Sequence, residues 1–519
     1  MSKKRSKKGL NRRDFIKRAA AGAGVAALMG LDTRKARAIP ISKIPGKWDY
    51  EADVAVLGTG AAGFAAAITA HDKGAKVLIL EKASEPESGG NSRVSGQGFW
   101  AVADIQGAIL YHKELAEGSG YPVPEDMIQA FMEECSRNIE WIERIGGKIS
   151  SRKYKKESPF LGVRVTNFPY PSLWNLLKTK AIERKIEVMY ETPGKELIQN
   201  PETKEILGVI AERVGKTVYI KAKRAVAMCP GGYENNKDMQ RDYLRLPEAY
   251  PMGSPHNTGD GVKMCQKIGA DLWHMQSYVG PGSVCCGLKA PEFKSAVKGY
   301  EDPKPIPIYV GKDGKRFIDE SIYFDHGIYK IHGVYELCPV PVPIHMIFDE
   351  KRRLAGPVCD VSPGECWVGV IDGYTWSRDN LAELKKGWII KANTIRELAI
   401  AIGKDANVLE ETINKYNEYY AAGKDLEYGR PAETMMPIGV PPFYAIEMKP
   451  VILNTQGGPR RNKKAQILDP DGNSIPRLYS AGELGSIYSF RYQGGGNLSE
   501  CLSFGRIAGA NAAAEKPWE

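Results

Sequence analysis

Several things that this chain of 519 residues lacks narrow what it can be. It has no CxxC and no CxxCH, which argues against an attached c-type haem. Its nine cysteines are scattered, and in a compartment that permits disulfides an odd count leaves at least one thiol over. Cys285 and Cys286, with Cys338, Cys359 and Cys366, leave two readings open: an iron–sulfur cluster, or buried small apolar side chains. Their spacing matches no cluster motif, which favours the second. No run is long and apolar enough for a membrane helix; the weakly apolar stretch Ala19–Leu31 has 13 residues, where a span takes about 20. There is no internal repeat and no low-complexity segment beyond the leader. Nor is there net charge to spare outside the first 38 residues. These hold twelve Lys or Arg and two acids, a net +10, which equals the formal charge of the entire chain. Nucleic-acid binding is therefore not expected.

The leader carries its own message. Asn11-Arg12-Arg13-Asp14-Phe15-Ile16-Lys17 resembles a twin-arginine export signal, and Ala36-Arg37-Ala38 is a small-x-small cleavage site. Residues 1–38 are expected to leave through the twin-arginine translocase with the folded, cofactor-loaded protein, which then resides in the periplasm.

What is present begins at Gly58-Thr59-Gly60-Ala61-Ala62-Gly63. Asp53–Leu57 reads as a short buried strand, Phe64–His71 as an Ala-rich helix start, and Lys76–Leu80 as the next parallel strand. That strand ends at Glu81, 18 residues past Gly63. Gly58 makes a tight turn, Gly60 lets backbone approach a pyrophosphate, and Gly63 lets helix and strand pack closely. The helix N-terminus meets the phosphates, and Glu81 accepts from ribose hydroxyls. The loop Ser88–Gly98 leaves this strand directly. Its Gly90, Asn91, Ser92, Ser95, Gly96 and Gly98 offer N–H groups with little bulk, along a phosphate or beside a flat ring.

Length alone predicts two or three domains. Residues 122–146 read as one helix. Ala225–Met228 is a buried strand running into Cys229-Pro230-Gly231-Gly232. Asp260 stands at the head of a helix over Val262–Ile268, where it either caps the helix or holds a ribityl hydroxyl. From about 285 to 440 the composition turns Pro-rich, aromatic and charged. The expected division is a leader (1–38), one domain in two parts (39–284 and 441–519), and an inserted capping domain (285–440). In the last part a strand reaches Ala481-Gly482-Glu483, and Gly494-Gly495-Gly496-Asn497 opens a helix through Ser503 to Ala513.

These runs, with Gly314–Glu320, Gly457-Gly458 and Gly495–Arg506, resemble the fumarate reductase and 3-oxosteroid 1-dehydrogenase flavoprotein superfamily over nearly all of residues 50 to 515. The resemblance implies an α/β fold, a Rossmann-like FAD-binding domain with an inserted α+β capping domain. It implies FAD, and hydride transfer at a carbon beside a carbonyl or carboxylate. Gly231 and Asn497 join the cofactor set. Glu483 would bind the ribityl chain, and the amides of Gly494, Gly495 and Gly496 would face the flavin edge where charge accumulates. Relatives that attach FAD covalently use a His where this chain has Ser92, so the FAD should be non-covalent.

The departures from the family pattern are informative. Fumarate reductases hold a dicarboxylate with two Arg and two His. The matching positions here are Phe324, Tyr492, the run Asn454-Thr455-Gln456, and the segment Met275–Pro281. A buried dicarboxylate without charge partners costs several kcal/mol per charge, so fumarate is disfavoured. Thr455–Arg460 and Tyr492 instead resemble the ketosteroid enzymes, whose Tyr and a following glycine N–H, here Gly496, polarise a keto oxygen. Their second Tyr, the base, would fall at Phe324; Tyr323 lies one residue earlier, which leaves the base open. The expectation is an oxidoreductase for a C–C bond conjugated to the ketone of a small apolar substrate. A rival reading is a respiratory reductase of an unsaturated carboxylate anchored by Arg460, Arg461 or Arg491. Less favoured is a non-catalytic electron carrier. With one GxGxxG only, the electrons are expected from a cytochrome or quinone-linked partner rather than NAD(P)H. No metal site is expected.

Overall fold

The computed structural model describes residues 44–168, 172–246, 248–280, 286–299, 305–321, 326–359 and 366–518. The expected leader, Cys285 and Tyr323 lie outside them. The chain opens with β1 (Tyr50–Leu57), α1 (Ala61–Asp72) and β2 (Val77–Leu80). It returns to the same sheet with β3 (Glu187–Met189), β4 (Lys216–Met228), β5 (Gln466–Leu468) and β6 (Ser474–Ser480), and closes with the helix α2 (Gly496–Ala514). The sheet order is β5-β6-β4-β1-β2-β3. The pairs β1/β2, β1/β4, β2/β3 and β6/β4 are parallel, and only the β5 edge of this path is antiparallel. Gly194–Gln199 and Ile206–Arg213 add an antiparallel extension to β4. All four residues of β2 are buried, as expected of a parallel strand covered on both faces.

α1 is buried almost all round, from Ala61 through Ile68, because α2 lies across it. Small residues make that crossing possible. A Cβ on Gly505 would come 2.8 Å from the Ala62 carbonyl oxygen, and one on Gly509 would come 2.2 Å from that of Ala66. Only hydrogen fits there, so the last helix docks directly on the first. Phe64, Leu502 and Phe504 fill the core beside the crossing.

A second sheet contains Cys286–Leu288, Val297–Lys298, Ile308–Val310, Ile344–Asp349 and Phe443–Ile452. Tyr250–Pro251 and Ile390–Ala392 also pair with Phe443–Ile452. This sheet therefore draws strands from both sides of the 285–440 segment. Beneath it lies a buried charge network. Arg316 forks onto Glu320 at 2.9 and 2.8 Å and reaches Asp425 at 2.9 Å; Arg430 reaches Glu320 at 2.9 Å. Two cations meet two anions, which is what allows all four to be buried. A third sheet, Phe99–Val102, Phe160–Val165 and Ile149–Lys153, is antiparallel.

The single helix expected over 122–146 is two, Glu125–Cys135 and Asn138–Arg144. Asn138 is drawn inward, donating to the Trp100 carbonyl at 2.9 Å, and the chain breaks to let it. Among the described residues no helix is long and apolar enough to cross a membrane.

Candidate active site

A cavity of about 860 Å³ opens where β1, β2 and β4 end side by side, within the range of cofactor sites. Gly58 turns the chain there at φ +99°, and a Cβ on it would sit 2.4 Å from the Cys229 carbonyl oxygen. Gly63 packs α1 against that turn; a Cβ on it would sit 2.0 Å from the Gly58 carbonyl oxygen. Gly60 is the N-cap of α1 and has no side chain to cap it. The Ala61 N–H is held by Ser92 Oγ at 2.9 Å. The Glu81 carboxylate accepts from the Thr59 N–H at 3.0 Å, the Thr59 hydroxyl and the Ala83 N–H at 2.8 Å. With about four acceptor positions on a carboxylate, one is left for a hydroxyl on the cavity side.

Asn91 joins two carboxylates, Glu483 on the cavity wall and Glu234 behind it. Asn91 Nδ2 donates to Glu234 Oε1 at 2.8 Å and lies 3.2 Å from both oxygens of Glu483. Asn91 Oδ1 accepts from the Ser254 N–H at 2.8 Å, which sets the orientation of the amide. Asn257 Nδ2 adds a second bond to Glu234 at 2.7 Å. Burial pushes Glu234 up to about 7, against the pull of Asn257 and Asn91. Burial and the neighbouring Glu234 push Glu483 well above the usual carboxylate range. Like charges this close do not both ionise readily, so the pair holds a proton at neutral pH. Deeper still, Glu500 is pushed up to about 7 by burial in spite of its ion pair with Arg461.

The far end of the cavity lies against the start of α2. The Tyr492 oxygen accepts from the Gly495 N–H at 3.1 Å and from the Asn497 N–H at 3.5 Å, leaving the phenol hydrogen to donate. Burial raises the Tyr492 pKa despite those two amides, so the group stays a neutral phenol. Its ring packs edge-on to Tyr488 at 5.2 Å and to His326 at 4.9 Å. Gln456 Nε2 donates to Asn497 Oδ1 at 3.0 Å. Arg152, Arg164 and Trp367 also line the cavity.

The structure brings most of the sequence-predicted residues to one cavity. Gly58, Gly60, Ala62, Glu81, Gly90, Asn91, Ser92, Ser95, Gly96, Gly98, Gly231, Asp260, Glu483, Tyr492, Gly495 and Asn497 all line it. Gly63 acts from behind through packing. Two expectations are corrected, and one of the two alternatives for Asp260 falls. The Gly496 N–H donates to the Gln493 carbonyl at 2.9 Å, and its α-carbon packs on Tyr488, so this amide is used within the turn and faces no ligand. Asp260 caps nothing: the N-cap of its helix is Gly259, and the Asp260 carboxylate pairs with Lys82 at 2.7 Å. Arg460 pairs with Asp271, Arg461 with Glu500, and Arg491 lies over the Tyr335 ring at 4.0 Å; none of the three lines the cavity. Cys135, Cys229, Cys265, Cys286, Cys338, Cys359 and Cys501 are buried.

Glu234, Arg164 and Trp367 were not singled out from sequence. Glu234 carried one usable signal, an acid directly after Gly231-Gly232-Tyr233. The others come from separate segments with no local motif.

The residues present fit a flavin dinucleotide. Two helix N-termini, those of α1 and α2, open on one cavity with no side-chain cap from their N-cap glycines, and the turn glycines leave no room for a Cβ. Comparison with known proteins agrees. A Shewanella frigidimarina protein named "Probable fumarate reductase" is 29% identical, covering 89% of this chain and 74% of its own length. Digoxin reductase of Eggerthella lenta is 26% identical over 99% of this chain and 98% of its own. The solved 3-ketosteroid delta1-dehydrogenase of Sterolibacterium denitrificans, at 24% identity, shares the fold with a TM-score of 0.72, covering 89% of this chain and 99% of that one. The family described as FAD binding domain matches residues 53–498, from the first strand to the first turn of the last helix. The chain belongs to that family, and FAD is its cofactor.

Proposed function

We propose that this FAD-dependent oxidoreductase, which acts on CH–CH groups, takes a substrate whose carbon–carbon bond is conjugated to a ketone, and that it works in the periplasm after twin-arginine export. What carries the reading is the Tyr492 phenol, held by backbone amides at the positive end of α2 on the cavity wall. A neutral phenol there donates to a keto oxygen and, with the helix dipole, favours the enolate that forms beside it. Bound FAD supplies the site that gives or takes hydride. Gly60 and the N-terminus of α1 hold its pyrophosphate, Glu81 its ribose, and Glu483 its ribityl chain. Ser92 is bound to the Ala61 amide, which accords with a non-covalent flavin. The electrons pass to or from an external cytochrome or quinone-linked carrier.

Arg152 and Arg164 on the same wall favour a second reading, reduction of an unsaturated carboxylate bound by these two arginines. One experiment separates the two. The reduced protein, held anaerobically, is mixed with a panel of enones and a panel of unsaturated acids, and the return of the oxidised flavin spectrum is timed. Faster reoxidation by enones supports the first reading, and reoxidation by acids alone overturns it. For export, Arg12→Lys with Arg13→Lys should leave the protein in the cytoplasm still carrying FAD. An unchanged periplasmic fraction would remove that part of the proposal.

A further inference from the structure

We propose that His326 is the proton-transfer partner of Tyr492: its Nε2 gives a proton to, or takes one from, the carbon α to the carbonyl whose oxygen Tyr492 holds. This rests on the ketone-conjugated reading above and goes further by supplying the acid or base left open when Phe324 replaced the family tyrosine.

His326 lines the cavity just ahead of the strand Ile328–Ile331. Its ring centroid is 4.9 Å from that of Tyr492, at an interplanar angle of 63°. His326 Nδ1 lies 3.1 Å from the Gly280 carbonyl, and the Gly280 N–H donates back to the His326 carbonyl at 2.6 Å. A carbonyl only accepts, so Nδ1 carries the hydrogen, and Nε2 is the nitrogen whose proton comes and goes. Nε2 points toward the α2 turn: a Cβ built on Gly494, itself on the cavity wall, would be 3.1 Å away. The residue is held at φ +54°, in the left-handed region that side chains other than glycine rarely adopt. Such a conformation persists where the surroundings fix it, and it gathers at functional sites.

The pairing suits the chemistry. In a conjugated ketone one atom separates the carbonyl oxygen from the α-carbon, so the groups that serve them must be neighbours. In the reductive direction the β-carbon receives the hydride that reduced FAD supplies. The π pair of the double bond moves onto the α-carbon and takes the Nε2 proton. The substrate gains two electrons and two hydrogens, FAD is left oxidised, and His326 is left neutral until water reprotonates it. Dehydrogenation runs the same transfers backward.

The ionisable groups on the elements around His326 are Tyr492, packed on its ring, and Tyr488 against Tyr492, Tyr278 on the strand before Gly280, Tyr329 and Lys330 on the strand that follows it, and Tyr335, Glu336 and Cys338 on the strand and turn paired to that one, with Arg491 stacked on Tyr335. Asp325 lies outside the described residues. Since the protonated ring is the acid, reduction should slow as pH rises through the His326 pKa, and dehydrogenation should slow as pH falls through it.

The test uses the FAD-loaded protein. His326→Asn keeps a donor for the Gly280 carbonyl and removes Nε2. Reoxidation by the best enone should fall about a hundredfold to ten-thousandfold, and the pH limb should vanish. Flavin content and the spectral shift on binding a saturated ketone should not change. His326→Ala should behave alike and regain rate when imidazole is added, which a structural role would not produce. If both variants turn over within about threefold of the wild type with its pH profile, His326 is not the proton donor. If the wild type itself is reoxidised by no enone, the substrate reading falls, and this inference falls with it.

Discussion

The two ends of the cavity are made of different material. At the β1 end the wall is mostly backbone. Gly58, Gly60 and Gly63 work by having no side chain, and what they offer is room and amide groups. At the α2 end the wall is side chains brought from distant segments: Tyr492, His326 and Arg164. At Gly58 and Gly63 the first end has no room for a Cβ. The second depends on particular atoms, such as one phenol oxygen. Substitutions should therefore separate cleanly. Bulk at the first end should cost the cofactor, and removal of single atoms at the second should cost rate while the cofactor stays.

Gly63→Val breaks the comparison most severely. Its side chain would collide with the Gly58 carbonyl, so the turn and α1 must part. The purified protein should carry no flavin, and a yellow protein at full stoichiometry would show that the close packing is not required. Tyr492→Phe is the matching change at the other end. Losing one oxyanion donor typically lowers turnover by about a hundredfold to a thousandfold. Flavin content should be unchanged, and a loss under about threefold would reduce Tyr492 to packing.

Between the two ends sits the Glu234 and Glu483 pair, and its signature is pH. The folded-state pKa of Glu234 is raised to about 7, above an unfolded value of about 4.3. The folded protein then binds more protons than the unfolded chain over that interval. Stability from this group is full at acid pH and is lost as pH rises toward and through about 7. Glu234→Gln mimics the protonated form, so its melting temperature should exceed that of the wild type at mildly alkaline pH and match it in mild acid. Equal melting curves at every pH would remove the buried proton. The smallest effect belongs to an arginine away from both ends. Arg460→Ala removes a half-exposed pair with Asp271 and should cost at most about 1 kcal/mol of stability. Its KM should stay put, and a rise for any acid substrate would return Arg460 to the site.

This contrast also explains what was legible in the sequence. Gly58 to Gly63, Glu81 and the Ser88–Gly98 loop lie close together in the chain, and backbone requirements leave glycine where it must be. The parallel sheet and its closing helix were readable for the same reason. The cap alternative for Asp260 fails because its partner, Lys82, is remote in sequence, and no local pattern announces a pair of that kind. Gly496 was misread because a run of glycines does not reveal which amide the turn itself consumes. Arg164 sits on the strand Phe160–Val165, which carries no motif, and only the tertiary fold brings it to the cavity. Glu234 was hidden by the usual rule that acids lie outside; its burial is sustained by Asn91 and Asn257, which come from two other segments.

The crossing of α1 and α2 bears on how the protein comes into being. α1 is translated long before α2, yet Gly505 and Gly509 must lie against Ala62 and Ala66 before either is covered. A growing chain therefore emerges with its phosphate turn already synthesised and its Ala-rich helix bare. Contacts so distant in sequence are slow to form and leave apolar surface open to aggregation meanwhile. The flavin pocket takes part of its wall from the start of α2, so a ribosome stalled short of residue 496 carries a chain that has no complete flavin pocket.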